Sequence, residues 1–417
     1  MGVQTVTMLS KAWYGDEEMK LEFPDSWEVI EKRMPGHDAP ALDDNQMRAA
    51  LGKPIGAAKL TDLAKGKKKV VILFDDLTRP TPTWRILPFV FELLKEAGIE
   101  DKQIVFVAAI ANHLPMMRDD FAKKLGADIP SRFQVFNHNP YEHCVEIGKT
   151  SRGTPVQLNR EVAGCDLKIG IGAVIPHTAA GFGGGAKIVL PGVCSIDTVR
   201  HNHIDVGRTG PGQQRNPTLG LGKVEGNEMR EDMEETAKIA GLDWKIDVLL
   251  NARREITGLF CGDVVAEHRA AVAIGRKMYS TPAEPGCDIT VANTYPIDIQ
   301  VSKGIWPAVA CIKDGGSAVV IANSVQGEAT HFLSGKWGSD YGGATWSQGR
   351  LRQLSHARRI YYMSEYPTAI MREALGGSDT VSTCTHWTEV LVDLMLHYGK
   401  SAKVAVYPYA SLQCPPV

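Results

Sequence analysis

The chain has 417 residues, a formal net charge of −2, 44% hydrophobic residues and 23% charged residues. This length exceeds the usual size of one domain, and the composition is that of an ordinary globular protein. The near-neutral charge excludes the basic surface of a nucleic-acid-binding protein, and no apolar run reaches the roughly 18 residues of a membrane span. We therefore expect no nucleic-acid or membrane partner.

The eight cysteines are scattered and form no CxxC pair, so no zinc site or disulfide framework is predicted. Scattered cysteines are typical of reduced thiols, and we expect a cytoplasmic protein without a signal peptide. The cysteines are Cys144, Cys165, Cys194, Cys261, Cys287, Cys311, Cys384 and Cys414.

Apolar segments alternate with loops and helical patterns through the first half of the chain. We predict strands over residues 67–74, 103–110 and 165–175, and helices over residues 85–99 and 118–126. Strand, loop and helix recurring in this order is typical of an α/β fold with a largely parallel sheet.

The composition changes near residues 279–286, which predicts a linker. A second α/β series follows it and includes a helix from about Ile299 to Lys313. We predict a first α/β domain over residues 1–278 and a second over residues 285–417, whose tail packs back on the first. Clefts between domains are favoured ligand sites, so we expect the active site there.

Polar residues follow three predicted strands of the first domain. They are the segment from Asp75 to Arg79, then His113, then His177. Because ligands bind beyond the carboxyl ends of strands in α/β sheets, we expect these loops to converge on one crevice. Arginine suits a carboxylate or phosphate, and histidine exchanges protons near neutral pH. A solvated turn and two structural histidines are the alternative interpretation.

A glycine-rich stretch at residues 176–192, PHTAAGFGGGAKIVLPG, carries one histidine and one lysine. Glycine permits close approach of the backbone to a ligand, so a small molecule is expected against this loop. Its GFGGGA segment fits the dinucleotide pattern, but Lys187 follows at once and Pro191 interrupts the helix that a pyrophosphate requires. An NAD-linked dehydrogenase is nevertheless kept as an alternative.

Two further pairs of polar residues are candidates for binding. His201 and His203 fall on one side of an extended segment, which suits either a metal site or a plain surface. Gln300 and Lys303 are three residues apart and would share a helix face that could bind an anion.

Taken together, these residues resemble the nickel-dependent lactate racemase family, whose members use a nickel-pincer nucleotide. The resemblance is carried by DDLTRPTP at residues 75–82, His113, PHTAAGFGGGAK with the following LPG, His203 sixteen residues after the lysine, and Gln300 with Lys303. It extends from about residue 65 to residue 325 in the same order.

The resemblance implies that Lys187 carries the cofactor covalently and that His203 donates a nitrogen to nickel, a metal that accepts planar coordination. It implies a racemase or epimerase that moves hydride from Cα of a 2-hydroxy acid, with His113 and His177 as bases for hydroxyls on opposite sides. The cofactor-biosynthesis proteins would be further partners. The remaining implied contacts are Arg79, Gln300 and Lys303 with the carboxylate, and Asp76, Thr78, Gly184, Gly185 and Pro191 with the cofactor.

The chain departs from the family pattern at two places. Gly183 stands where the family has serine, and Leu114 with Pro115 follows His113 where lactate-active members tend to have arginine. The loss of a cation beside the substrate leaves open a larger 2-hydroxy acid, including a sugar acid. A binding protein without catalysis is the third alternative.

Overall fold

A computed structural model describes residues 2–210, 214–329, 354–376 and 380–417. It contains two six-stranded sheets with helices packed on them, and several short two- and three-stranded pieces. The strands are β1 (Val3–Ser10), β2 (Glu17–Pro24), β3 (Glu28–Glu31), β4 (Val70–Phe74), β5 (Ile104–Ala108), β6 (Gln134–Asn137), β7 (Cys144–Lys149), β8 (Pro155–Asn159), β9 (Leu167–Ala173), β10 (Pro176–His177), β11 (Ala180–Phe182), β12 (Arg208–Thr209), β13 (Gln214–Arg215), β14 (Gly220–Leu221), β15 (Trp244–Leu250), β16 (Ile256–Gly262), β17 (Cys287–Asn293), β18 (Ile312–Ile321), β19 (Arg359–Met363), β20 (Val381–Cys384) and β21 (Lys403–Tyr407). The α-helices are α1 (Asp44–Leu51), α2 (Leu60–Ala64), α3 (Thr83–Glu96), α4 (Arg118–Leu125), α5 (Ile129–Arg132), α6 (Arg160–Ala163), α7 (Ile196–Arg200), α8 (Glu228–Ile239), α9 (Ala266–Tyr279), α10 (Trp306–Cys311), α11 (Ala369–Leu375) and α12 (Trp387–Tyr398).

The first sheet has the strand order β16-β15-β9-β4-β5-β6, and all its neighbouring pairs are parallel except β15 with β16. Every residue of β4 is buried. Val70 and Ile72 pack into the core on one face of the sheet, whereas Val71 and Leu73 pack into the core on the other. Burial on both faces explains why this strand is a continuous apolar run rather than an alternating one.

The second sheet has the order β20-β19-β18-β17-β21-β3 and is parallel throughout. Its edge strand β3 comes from the start of the chain and pairs with β21. Val6 and Phe23 of the β1–β2 hairpin share a core with Ile289 and Val406 of this sheet. The first 31 residues therefore pack with the second sheet, although the sequence alone grouped them with the first.

The α/β fold with largely parallel sheets is confirmed. The predicted strands contain β4, β5 and β9, and the predicted helices overlap α3 and α4. The single helix predicted over residues 299–313 is wrong. This segment forms a 3₁₀ turn at Val301–Lys303, then α10, and enters β18 at Ile312.

The break in that predicted helix falls at Gly304, which packs against a residue earlier in the chain. Gly304 lies so close to Thr294 that a Cβ there would be 2.8 Å from the Thr294 methyl group. Pro307 then occupies the first turn of α10, where its missing N–H is tolerated. The chain therefore restarts its helix after Gly304 instead of continuing one.

The tail contacts the first sheet's core. Leu412 and Cys414 belong to the same core cluster as Ile72 and Val248, and the Cys414 N–H donates to the Tyr279 carbonyl at 3.0 Å. All eight cysteines lie in the described ranges and are free thiols. Within those ranges, no helix combines the length and the apolar character needed to cross a membrane.

Candidate functional site

Three loops meet beyond the carboxyl ends of β9, β4 and β5, which are neighbours in the first sheet. They enclose a cleft to which the predicted residues Asp76, Thr78, Arg79, His113, Gly184, Lys187 and Pro191 all contribute. The sequence-based expectation of one shared crevice therefore holds for the loops after β4 and β5 and for the glycine-rich loop. The other cleft residues are Asp75, Ala109, Ala111, Gly172, Ala173, Ile188, Gly192 and Lys245.

The buried carboxylate of Asp76 accepts a hydrogen bond from Nδ1 of His113 at 2.7 Å. Burial acts to raise the pKa of Asp76, but His113, Arg79 and the Thr78 hydrogen bonds outweigh it and lower that pKa to about 2. The ionised carboxylate keeps the His113 proton on Nδ1, so Nε2 carries the lone pair. His113 is thus arranged as a proton acceptor.

A chain of hydrogen bonds connects His113 to the second half of the protein. The Gln300 amide donates to Nε2 of His113 at 3.3 Å, and its oxygen accepts from the Arg79 guanidinium at 3.3 Å. Arg79 also donates to the Thr78 hydroxyl at 2.9 Å. Gln300 is buried at the start of the 3₁₀ turn at residues 301–303. The predicted carboxylate-binding residues Arg79 and Gln300 are therefore in contact.

Lys124, which the sequence analysis missed, holds the loop after β4. Its fully buried ammonium lies 2.5 Å from the Asp75 carboxylate and donates to the carbonyls of Asp76 and Arg79 at 3.1 and 2.8 Å. A signal existed in the sequence, because Lys124 falls on the same face of α4 as the buried Phe121. A lysine on an apolar helix face needs a buried partner.

The glycine-rich loop is fixed from behind by a second buried ion pair. The Gly185 N–H donates to Asp247 at 2.5 Å, and Lys245 lies 2.5 Å from the other oxygen of that carboxylate. Gly184 has φ of +71°, and a Cβ there would be 2.6 Å from Asp247. A Cβ on Gly185 would be 2.9 Å from the His268 ring, so this position faces the protein interior rather than the cleft. No pattern in the sequence indicated Asp247 or Lys245 as residues of the site.

Lys187 lies in the 3₁₀ turn at Gly185–Ile188, with its side chain at the cleft. Burial, followed by the positive charges of Arg79 and Arg230, lowers the pKa of Lys187 well below its usual value. In the part of the chain that the structure describes, its amine has no carboxylate partner. The site therefore favours the uncharged, nucleophilic amine.

His177 is held differently from His113. Its Nδ1 accepts hydrogen bonds from the backbone N–H groups of Ala179 and Ala180 at 3.2 and 3.1 Å. Burial and then the charge of Lys303 lower the pKa of His177 well below the ordinary value. The neutral ring consequently carries its proton on Nε2, which makes it a hydrogen-bond donor in this state.

The two histidines of the RHNHID segment do not share a site. The segment forms a turn of π-helix at His201–Val206, not an extended strand. His201 bonds to the Thr154 hydroxyl at 2.9 Å, whereas Nδ1 of His203 donates to the Val199 carbonyl at 3.0 Å. Because burial, as the largest cause, lowers the pKa of His203 to about 3, its Nε2 is an unprotonated nitrogen that can bind a metal.

No group of three or more histidine, cysteine or acidic side chains within the described ranges is arranged to hold a metal ion. Among the described residues His203 belongs to no such group, so a metal bound to its nitrogen needs ligands from outside these residues. Lys303, three residues after Gln300, acts on both His177 and His203 through its charge. Seven predicted residues thus line the cleft, and Gln300 is hydrogen-bonded to two of them.

Residues 14–212 match the family described as the lactate racemase N-terminal domain. The chain is 32% identical to the lactate racemase of Lactiplantibacillus plantarum over 293 residues, covering 68% of this chain and 67% of the relative. It is 27% identical to the lactate racemase of Thermoanaerobacterium thermosaccharolyticum over 322 residues, covering 75% and 74%.

Two solved structures share the fold. The lactate racemase apoprotein from Thermoanaerobacterium thermosaccharolyticum aligns with a TM-score of 0.74 at 23% identity, covering 98% of this chain and 99% of that one. A Thermotoga maritima protein aligns with a TM-score of 0.66 at 15% identity, covering 90% and 98%.

Proposed function

This chain belongs to the lactate racemase family, a family of isomerases, and from that premise we propose that it inverts the configuration at C2 of a 2-hydroxy acid. The supporting observation is the hydrogen-bonded series Asp76–His113–Gln300–Arg79, which aligns a proton acceptor with a carboxylate-binding cation beside the Lys187 amine. A proton acceptor and an anchor for the substrate are the two parts that such a reaction requires of the protein.

The residues at the cleft fit the lysine-linked nickel-pincer nucleotide that the sequence suggested. Lys187 offers an amine without a carboxylate partner among the described residues, and His203 offers one nitrogen. Gly172, Gly184 and Gly192 line the cleft, where their backbone can approach a bound group closely. Lys187 would hold the nucleotide and His203 the nickel, and the bound group would supply the acceptor for the Cα hydride.

The chain's own residues handle the proton and the carboxylate. Arg79, Gln300 and Lys303 bind the carboxylate, and the substrate hydroxyl replaces the Gln300 amide as the partner of His113 Nε2. Asp76 stabilises the imidazolium that forms when His113 takes the hydroxyl proton.

In this proposal His177 is the base for the opposite configuration of the substrate, but its ring starts in a different tautomer from that of His113. Its Nε2 carries a proton while Nδ1 accepts from Ala179 and Ala180. To act as a base, the ring must move that proton to Nδ1 and give up both backbone hydrogen bonds. This cost lowers kcat/KM equally in both directions, because the enzyme cannot change the equilibrium between the two configurations.

The substrate is proposed to be larger than lactate. Leu114, Pro115 and Met116 line a small pocket next to His113, together with Ile299 from the second half of the chain. This pocket, whose lining also includes Asp120 and Gln326, suits a 2-hydroxy acid with a longer substituent that carries both apolar and polar groups. The protein would also depend on the proteins that make its cofactor.

The test is to produce the protein with the cofactor-synthesis enzymes and offer it single enantiomers of a series of 2-hydroxy acids. Chiral chromatography should show conversion of at least one acid in both directions, and intact-mass analysis should show an adduct that Lys187→Arg abolishes. Conversion by the unmodified chain with added NAD would instead support the dehydrogenase. An adduct without any conversion would support the binding protein.

His113→Gln and His177→Gln separate the two histidines, since glutamine keeps an N–H donor near the position of Nε2. His113→Gln should abolish turnover, because an amide cannot accept the proton. His177→Gln should lower kcat/KM by the same factor in both directions, because the equilibrium between the two configurations does not depend on the enzyme. Unchanged turnover in both variants would contradict the assignment of His113 and His177 to proton transfer.

A further inference from the structure

A second cavity, separate from the cleft, lies where the N-terminal turn, the start of α3 and the β15–β16 hairpin meet. It has a volume of about 370 Å³, which is within the range of small-molecule sites. Its walls are formed by Trp13, Ala41, Leu42, Pro82, Trp84, Arg85, Arg253, Arg254, Glu255 and Ile256. None of these residues has a part in the proposed reaction.

The charges around this cavity favour an anion. Three arginines and one glutamate line it. Arg85 is paired with Asp44 at 3.0 Å, and Arg254 is paired with Asp16. Among the described residues, the exposed Arg253 has no carboxylate within ion-pairing distance. Its guanidinium is therefore available to a carboxylate or phosphate from outside.

Aromatic rings supply the second part of the recognition. Trp84 is 48% exposed, which is unusual for so large an apolar side chain. The Trp13 ring has the Arg254 guanidinium 4.4 Å from its centroid, and Leu42 and Pro82 complete the apolar wall. Flat apolar surfaces next to an unpaired guanidinium suit a ligand with both an aromatic ring and a negative charge.

The wall of the cavity is held in place before any ligand arrives. Trp13 and Arg254 both have positive φ, of 70° and 63°, a conformation that costs bulky residues roughly 1–2 kcal/mol. The Trp13 indole donates to the Leu77 carbonyl at 3.0 Å, and the Lys124 ammonium lies 4.9 Å from its ring centroid. Strained residues of this kind cluster at ligand sites, where the surrounding structure fixes them.

We propose that this cavity is a second ligand site, which binds a small organic anion carrying an aromatic ring. Arg253 contacts the anionic group, and Trp13 and Trp84 contact the ring. Two sources share this chemistry, namely nucleoside phosphates and aryl carboxylates.

Binding is tested on the protein without cofactor by isothermal titration and tryptophan fluorescence. AMP represents the nucleoside phosphates and benzoate the aryl carboxylates. Adenosine is the control that has the aromatic ring without the charge, and inorganic phosphate is the control that has the charge without the ring. At least one of AMP and benzoate should bind saturably and at least tenfold more tightly than adenosine and phosphate. The tighter of the two identifies the source.

Arg253→Ala and Trp84→Ala should each weaken that binding at least tenfold. Both side chains are exposed, so the fold is expected to tolerate these changes, and circular dichroism checks it. Arg160→Ala, which removes an exposed arginine of α6 outside the cavity, is the matched control and should leave affinity unchanged. Absence of saturable binding by either aromatic anion, or binding that both cavity variants retain, would overturn the proposal.

Discussion

Gly184 provides a test of how the glycine-rich loop is fixed. Replacement by alanine places a methyl group 2.6 Å from the Asp247 carboxylate, in a residue whose φ is +71°. Gly66 is a matched control, because its φ is +73° and nothing lies within 4 Å of its Cβ position. The two substitutions therefore share the backbone strain and differ only in the overlap.

The expected magnitudes follow from these contacts. The left-handed conformation costs an alanine roughly 1–2 kcal/mol at either position. At Gly184, overpacking adds roughly 1–3 kcal/mol. The Asp247 carboxylate also accepts a hydrogen bond from the Gly185 N–H at 2.5 Å. Displacing the carboxylate would leave this buried N–H unpaired, which adds about 1–3 kcal/mol to the loss of stability. Gly184→Ala should thus be destabilising by at least about 2 kcal/mol more than Gly66→Ala.

The assay is thermal unfolding of the two variants and the unchanged protein, without cofactor, under identical conditions. Gly184→Ala should lower the Tm at least twice as far as Gly66→Ala does. Equal shifts would refute the reasoning, because they would mean that Asp247 moves aside without loss and does not fix the loop.

Three further predictions concern the charged groups around the cleft. Because the pKa of Asp76 is lowered from 3.8 to about 2, its carboxylate stabilises the fold by about 2 kcal/mol above pH 4, and this contribution is lost as the pH falls towards 2. Asp76→Asn should remove that pH dependence from urea unfolding measured between pH 4 and 2, and an unaltered dependence would contradict the pairing with His113. Lys124→Met leaves the buried Asp75 unpaired and should be destabilising by about 3–5 kcal/mol, whereas the control Lys123→Met, on a half-buried neighbour, should change stability by under about 1 kcal/mol in the same melts. The rate at which cyanate carbamylates Lys187, followed by peptide mass spectrometry, should reach half its maximum at a pH well below 10.5, the usual pKa of lysine. A midpoint at or above 10.5 would argue against an uncharged amine.

The sequence predicted those parts of the fold that depend on local pattern. Continuous apolar runs located β4, β5 and β9, and the rule that ligands bind at strand ends brought Asp76 and His113 to one crevice. The helix predicted over 299–313 failed because its apolar spacing continues through Gly304, whose close approach to Thr294 is a tertiary contact.

The interactions that fix the site were harder to predict, because they join residues far apart in the chain. Lys124 reaches the loop after β4 from a helix some 45 residues later, and Asp247 reaches Gly185 across 62 residues. Local periodicity says nothing about which buried charge meets which backbone group. The proton position on His177 likewise depends on the fold of the turn at residues 179–180.

The strand β3 gives the molecule an unusual connectivity. Since the chain begins in the second sheet, crosses to the first, and returns after residue 279, two separate segments of backbone join the halves. A protease cut near residue 283 would leave them covalently tied through residues 32–43.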